Sequence, residues 1–318
     1  LNTLMSYAPI VIFGFDRPLH LENMIKSLSA NVEAQESEAH IFIDGPTNKV
    51  DMDNYKKVIE IVNGELPFKK SHVTVREKNL QCKNNIVFGV TEVIQKTGKA
   101  IIMEDDLVVS SQFLHFMNSS LEKYDNNNNI WHINGYSFPQ LLGSEKKTSI
   151  SKLAQPWGWA TWVENWNIFV SEDNQYYKKN IISTLSKQQR EEYNFYNLAS
   201  YWEEALKLDG KNKNSIWDAY WYQTIYLNKG FTIFPQVSHV QNFGFDGTGL
   251  HCGVNKEFDT RLNTQQTTIF PNKIKESLIY KANVYFFHKK RNMKNYFNFH
   301  KEKFSSISNL KKWISKKL

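Results

Sequence analysis

Apolar residues in the first hundred positions fall in short unbroken runs separated by amphipathic stretches. Pro9 to Phe15 reads as a buried strand, and Asp16-Arg17-Pro18 opens a helix to about Leu28, with Pro18 near its first turn. Ala39 to Ile43 is a second strand, closed by Asp44-Gly45-Pro46. Asp51 to Val62 has a helical pattern, Ser71 to Arg76 is a third strand, Lys83 to Gln95 a third helix, and Ala100 to Met103 a fourth strand. Strands alternating with helices predict an α/β fold, a parallel sheet with helices on both faces. Such sheets bind ligands beyond the carboxyl ends of their strands. Asp16, Arg17, Asp44 and Glu104–Asp106 all fall at those ends.

After Asp106 the pattern changes. Ser110 to Tyr124 reads as a helix with Phe113, Phe116, Met117 and Leu121 on one face, and Ile130 to Ile133 as a strand. The run Gln155 to Trp162 is dense in indole. Helices are expected at about Ser186–Leu208 and Ile216–Leu227, and strand and loop from Ile233 to Asn242. The expected organisation is one domain over 1–252, in two halves, 8–107 and 108–252. A basic aromatic extension follows over 253–318.

Composition and charge sharpen this picture. The 318 residues are 41% hydrophobic and 14% aromatic, enough for a sizeable core. Cys82 and Cys252 are too few for a disulfide framework, and neither has a metal-ligand spacing. No apolar run approaches the roughly 18 residues that span a bilayer, and no signal-peptide pattern opens the chain. The net charge of +7 is unevenly placed. Residues 271–318 hold 13 Lys and Arg against 2 acids, which leaves the first 270 residues at −4. Leu310, Trp313, Ile314 and Leu318 recur at helical spacing among lysines, the pattern of a basic amphipathic helix on an anionic membrane surface. A helix packed on the body, or a disordered tail, is the alternative. No nucleic-acid-binding motif accompanies the charge. The expected location is cytoplasmic, peripheral on the inner face of the plasma membrane.

The chemistry concentrates at Met103-Glu104-Asp105-Asp106-Leu107. Three consecutive carboxylates at a strand end repel one another, and burying them unpaired is costly. A hard divalent cation, Mn2+ or Mg2+, accepts such oxygens and also binds phosphate oxygens. A solvated acidic turn would explain the triplet alone, but not its company of Asp-Arg and Asp-Gly turns at neighbouring strand ends.

Together these elements resemble the N-acetylglucosaminyltransferase I family and its bacterial relatives among the GT-A glycosyltransferases. The resemblance covers roughly residues 8–252. It rests on Phe15-Asp16-Arg17, Ile43-Asp44-Gly45, Met103–Leu107, Gly158-Trp159, Trp217-Asp218 and the Gly-rich segment closing at Gly249-Leu250-His251. It implies a GT-A (Rossmann-like) nucleotide-sugar-binding sheet and inverting, metal-dependent transfer from a UDP-sugar, UDP-GlcNAc first, to a glycan or lipid-linked acceptor. By this resemblance Asp106 ligates the metal, Asp105 faces the ribose and Glu104 the donor sugar. Arg17 holds the diphosphate, and Asp44 accepts from the uracil.

Asp218 is the implied general base, with Glu203 and Glu204 in reserve. Thr248 and His251 lie in a loop that closes over the nucleotide, His251 as a further ligand of the metal or a phosphate contact. Trp157, Trp159, Trp217 and Trp221 offer flat faces for sugar stacking, or else form ordinary aromatic core. Two rival readings are a sugar nucleotidyltransferase, whose Gly-rich N-terminal signature is absent, and a non-catalytic carbohydrate-binding partner, which needs no base.

Overall fold

The computed structural model describes residues 7–140, 142–171, 181–195, 200–209, 216–249 and 253–299. The first half follows the expected alternation. β1 (Ile10–Gly14) leads through α1 (Pro18–Ser29) to β2 (Glu38–Ile43), then through α2 (Met52–Asn63) to β3 (Lys70–Val75), and through α3 (Gln81–Thr97) to β4 (Lys99–Glu104). Local chemistry sets the helix ends. Pro18 sits in the first turn of α1, where no partner exists for an N–H anyway. The Asp51 carboxylate caps α2 by accepting from the N–H groups of Asp53 and Asn54 at 3.0 and 3.1 Å. Gly98, at φ 77°, closes α3 in the left-handed conformation.

The second half adds β5 (Leu107–Val109), α4 (Phe113–Lys123), β6 (Ile130–Asn134), β7 (Thr148–Ser151) and β8 (Trp159–Trp162). Then come α5 (Val163–Val170), α6 (Lys187–Tyr193), α7 (Tyr201–Asp209), α8 (Asp218–Leu227), β9 (Phe231–Pro235), β10 (Val240–Asn242) and α9 (Leu278–Phe299). Eight strands form one sheet in the order β3-β2-β1-β4-β8-β6-β9-β7. The four strands of the first half are parallel to one another, β8 runs antiparallel to both β4 and β6, and β7 runs antiparallel to β9. The central strands are buried, which makes the runs Ile10–Phe13 and Ile101–Met103 uniformly apolar. A separate two-stranded ladder joins β5 to β10 antiparallel, pairing Asn242 with Leu107.

Two expectations change. The helix expected over 186–208 is interrupted. Ser186 and Gln189 form a capping box for α6, and the chain leaves that helix at Phe195, in a left-handed conformation with φ 49°. Residues 253–299, expected as an extension, are built onto the body. The Thr148 N–H donates to the Ile269 carbonyl at 3.0 Å and the Tyr124 hydroxyl to the Pro271 carbonyl at 2.8 Å. From α9, Tyr280 packs on Phe234 with ring centroids 4.6 Å apart. The basic helix expected after Asn309 lies outside the described residues, as does His251. No described helix is long and apolar enough to cross a membrane.

Candidate active site

The carboxyl ends of β1, β2 and β4 converge, as the parallel register requires: Phe13 lies beside Glu104 and Gly14 beside Ile43. Arg17 is the last residue before α1, and Glu104 is the last of β4, with Asp105 and Asp106 in the turn to β5. The Arg17 guanidinium closes on both aspartates. It is paired with Asp105 Oδ1, with a second contact to Oδ2 at 3.3 Å, and its Nη1 donates to Asp106 Oδ2 at 3.0 Å. The expected phosphate-binding arginine therefore serves here as counter-ion to two acids. Its planar fork suits two carboxylates as well as it suits two phosphate oxygens.

Asp218 is the first residue of α8, near enough to the cluster for its charge to act on Glu104. The Glu104 carboxyl is pushed well above the usual range by burial, then by Asp106, Asp218 and Asp105. Burial also raises Asp105 to about 6, against the opposing pull of Arg17. Asp218 is raised to about 6 by burial, although the Ala219 N–H donates to its Oδ1 at 2.9 Å. Burial works against the Arg17 charge, yet Asp105 and Asp106 outweigh it and raise its pKa. Four carboxylates thus share one site, and Arg17 pairs with two of them. All the donors are oxygens, the type a hard divalent cation takes, and Asp106 keeps Oδ1 clear of hydrogen bonds to the described residues. No three of these acids bring ligand atoms within 4.8 Å of one another, so the protein alone offers such an ion no closed set of ligands.

Asp44 terminates β2 beside the cluster. Its Oδ1 accepts the N–H groups of Gly45 at 2.9 Å and Leu80 at 2.8 Å, while burial raises its pKa against these bonds. Gly45 is required here: a Cβ would stand 2.3 Å from the Lys78 backbone carbon. The Asp-Gly turn is therefore held against the segment that leads into α3.

The remaining expected residues divide. Thr248 is exposed, and both its N–H and hydroxyl donate to Asp246 Oδ1, at 2.9 and 2.7 Å. Asp246 in turn meets His20 of α1 at 3.1 Å, which ties the Gly-rich loop to the Arg17 side of the site. The indoles expected to stack on sugars are core instead. Trp159, Trp221 and Trp217 are 0%, 2% and 3% exposed. Trp159 packs on Trp217 at 5.2 Å and on Trp221 at 5.9 Å, and His132 covers another side of Trp159 at 5.2 Å. With those faces occupied, none of the three offers a platform. Only Trp157 of the expected set is half-buried, with Tyr136, Phe245 and Phe258 at its edges.

The reserve bases are also disposed of by geometry. Glu203 is buried under Arg190, Lys207 and Asn194, and the Arg190 hydrogen bond above all lowers it to about 2. A carboxylate so held takes up no proton near neutral pH. Glu204 is exposed and bonded to Ser200 at 2.6 Å. Glu203→Gln should lower the melting temperature, because it removes the charge of a buried acceptor that holds the buried Asn194 amide and two exposed cations, Arg190 and Lys207. Folded protein should retain its turnover. A thermal melt read beside an activity assay checks this, and a selective loss of turnover would restore Glu203 as a base.

Three contributors were not expected from the sequence. Cys82, in the first turn of α3, has its thiol pushed well up by burial and then by Glu104, Asp218, Asp106 and Asp105, so it lines the same cluster. Lys83 lies over the Tyr220 ring at 4.6 Å, joining α3 to α8. Gly244 touches Asp106: a Cβ there would stand 2.2 Å from Asp106 Oδ2. The adjacent Phe243 N–H donates to the Asp106 carbonyl at 2.8 Å. Only the Gly-rich composition of 244–249 hinted at this close approach. Gly244→Ala should displace the Asp106 carboxylate and lower the melting temperature. A thermal melt measures it, and a parental melt would show that the site tolerates the methyl.

No protein-family model matches the chain, and no curated protein matches it. Some solved structures are similar to it at low identity. S. aureus TarS is 10% identical over 62% of this chain and 33% of that one, with a TM-score of 0.36. A structure of S. aureus TarS 1-349 is 9% identical over 62% and 55%, with a TM-score of 0.37. The mannosyltransferase PcManGT from Pyrobaculum calidifontis, in complex with GDP-Man and Mn2+, is 6% identical over 71% and 70%, with a TM-score of 0.37. The chain spans about a third and just over half of the two TarS chains. Scores this low give no basis for transferring an activity, so the chemistry must be read from the residues themselves.

Proposed function

We propose that the chain is a metal-dependent, inverting glycosyltransferase of the GT-A type, using a UDP-sugar donor and a hydroxyl of a glycan or lipid-linked acceptor. The observation that supports this reading is the meeting of Asp218 with the acidic triplet. Glu104–Asp106 gather with Arg17 at the carboxyl ends of parallel strands, and the charge of Asp218, itself buried with its pKa raised to about 6, acts on Glu104. A diphosphate site uses the first group, and a displacement reaction uses the second.

Asp106, through Oδ1, is the residue to hold a Mn2+ or Mg2+ ion, with waters and donor oxygens completing its shell. Such an ion, when bound, neutralises charge on the departing diphosphate. A diphosphate competes with Asp105 and Asp106 for the Arg17 fork, so Arg17 can pass from acid to phosphate without leaving its place. Asp44 offers its carboxylate to the N3–H of uracil, with the Gly45 and Leu80 bonds falling on Oδ1. Glu104 is placed to accept from donor-sugar hydroxyls. Asp218 takes the acceptor hydroxyl's proton as its oxygen bonds to the anomeric carbon. The bond from that carbon to the phosphate oxygen breaks, and its electron pair leaves with UDP. Attack from the face opposite the leaving group inverts the configuration.

The direct test is a screen of nucleotide sugars for thermal stabilisation with and without Mn2+, followed by NMR of the product's anomeric configuration. A UDP-sugar should stabilise only with metal, and the product should be inverted. No stabilisation by any nucleotide sugar, or retention in the product, contradicts the reading. We also assign the basic tail to an anionic membrane surface, where each cation contributes about 1 kcal/mol. Removing residues 301–318 should reduce co-sedimentation with anionic liposomes at low salt and leave transfer to a soluble acceptor unchanged. Equal partitioning of both forms would return the tail to the folded body.

A further inference from the structure

We propose that Glu38, His40 and His72 form a binding site for one divalent transition-metal ion of the zinc type, at the outer edge of the sheet and separate from the acidic cluster. The backbone brings them together. In β2, Glu38 and His40 are two residues apart and so share a face. In β3, His72 is the register partner of His40. Adjacent strands lie about 4.8 Å apart, and the two imidazoles stack accordingly, with centroids 4.5 Å apart and planes within 8°. One ligand atom from each residue falls within 4.8 Å of the other two.

The spacing suits a tetrahedral ion once the rings tilt out of their parallel stack, because each imidazole binds a metal in its own plane. Zinc bonds to nitrogen and oxygen are roughly 2.0–2.1 Å, which places neighbouring ligand atoms about 3.4 Å apart. His72 Nε2 and Glu38 Oε2 already stand at 3.4 Å. The His40 ring has no hydrogen bond to another described residue. On the covering helix α3, Glu92 adds negative charge near His40 and pairs with Lys96 at 3.5 Å.

Two imidazoles and one carboxylate select zinc and its neighbours over Mg2+, Mn2+ or Ca2+, which prefer oxygen alone. The active-site set, all oxygens, has the opposite preference. Bound metal would pin the edge strand β3 to β2, at the end of the sheet away from Asp44.

The test is calorimetric titration of Zn2+ into the untagged full chain at neutral pH, with thermal unfolding alongside. One zinc site is expected, weakened at least about tenfold in His72→Gln and in Glu38→Gln, and unchanged in Asp106→Asn and Cys82→Ser. Zinc should raise the unfolding temperature of the parent chain more than that of either ligand variant. His72 and Glu38 are not fully buried, and circular dichroism establishes that their variants fold. Two results would overturn the proposal: no zinc binding by the parent up to about 100 μM, or binding of equal strength in both ligand variants.

Discussion

Replacing Asp218 by Asn should leave donor binding unchanged and lower transfer by at least about a hundredfold, the usual effect of removing a general base. The amide keeps the shape and the bond from the Ala219 N–H, so the fold is retained while the proton acceptor is lost. The pH profile tests the same assignment in the parent enzyme. Burial raises the Asp218 carboxyl to about 6, and a general base acts in its ionised form. The rate should therefore climb as pH rises through about 6 and level off above it, and Asp218→Asn should lose that limb. Near-normal turnover in the variant would move the base elsewhere. A missing acidic limb with normal loss of turnover would make Asp218 a positioning group.

Asp106→Asn should abolish metal-dependent nucleotide binding, with affinity for UDP in Mn2+ falling by about a hundredfold or more. The substitution removes a charge but not a packing element, because the Arg17 fork keeps its pairing with Asp105 and the Asp106 carbonyl keeps the Phe243 N–H. Removing one carboxylate also lessens repulsion among the acids, so the metal-free variant should melt no lower than the parent. Calorimetry and a thermal melt give both readings. Unchanged affinity for UDP and Mn2+ would remove Asp106 as a ligand.

The first hundred residues were legible because each strand and helix there is fixed by local periodicity and turn chemistry. Asp51, Pro18 and Gly98 act within one turn of their own position. The acid site was legible for a related reason: in a parallel α/β sheet, strand ends are brought together by topology alone. What was hidden depends on distant partners. β5 and β10 have three residues each, too few to show a period, and they are defined only by their pairing. The contact of Gly244 with Asp106 follows from that pairing and leaves no local mark. The indoles misled because the side chain that suits a sugar platform also suits a core. Only the packing of Trp159, Trp217 and Trp221 on one another separates the two roles. Glu203 looked like a spare carboxylate until Arg190 and Lys207 were placed around it.

The indole stack has a mechanical consequence for the acidic cluster. Trp217 immediately precedes Asp218, and its ring is wedged on Trp159, whose strand β8 is paired to β4, the strand that carries Glu104. Asp218 and the acidic turn are thus braced, through one aromatic wedge, against the same sheet. The segment 243–249 meets α1 differently, through His20 and the exposed carboxylate of Asp246. Salt, which screens such a pair, leaves the wedge untouched.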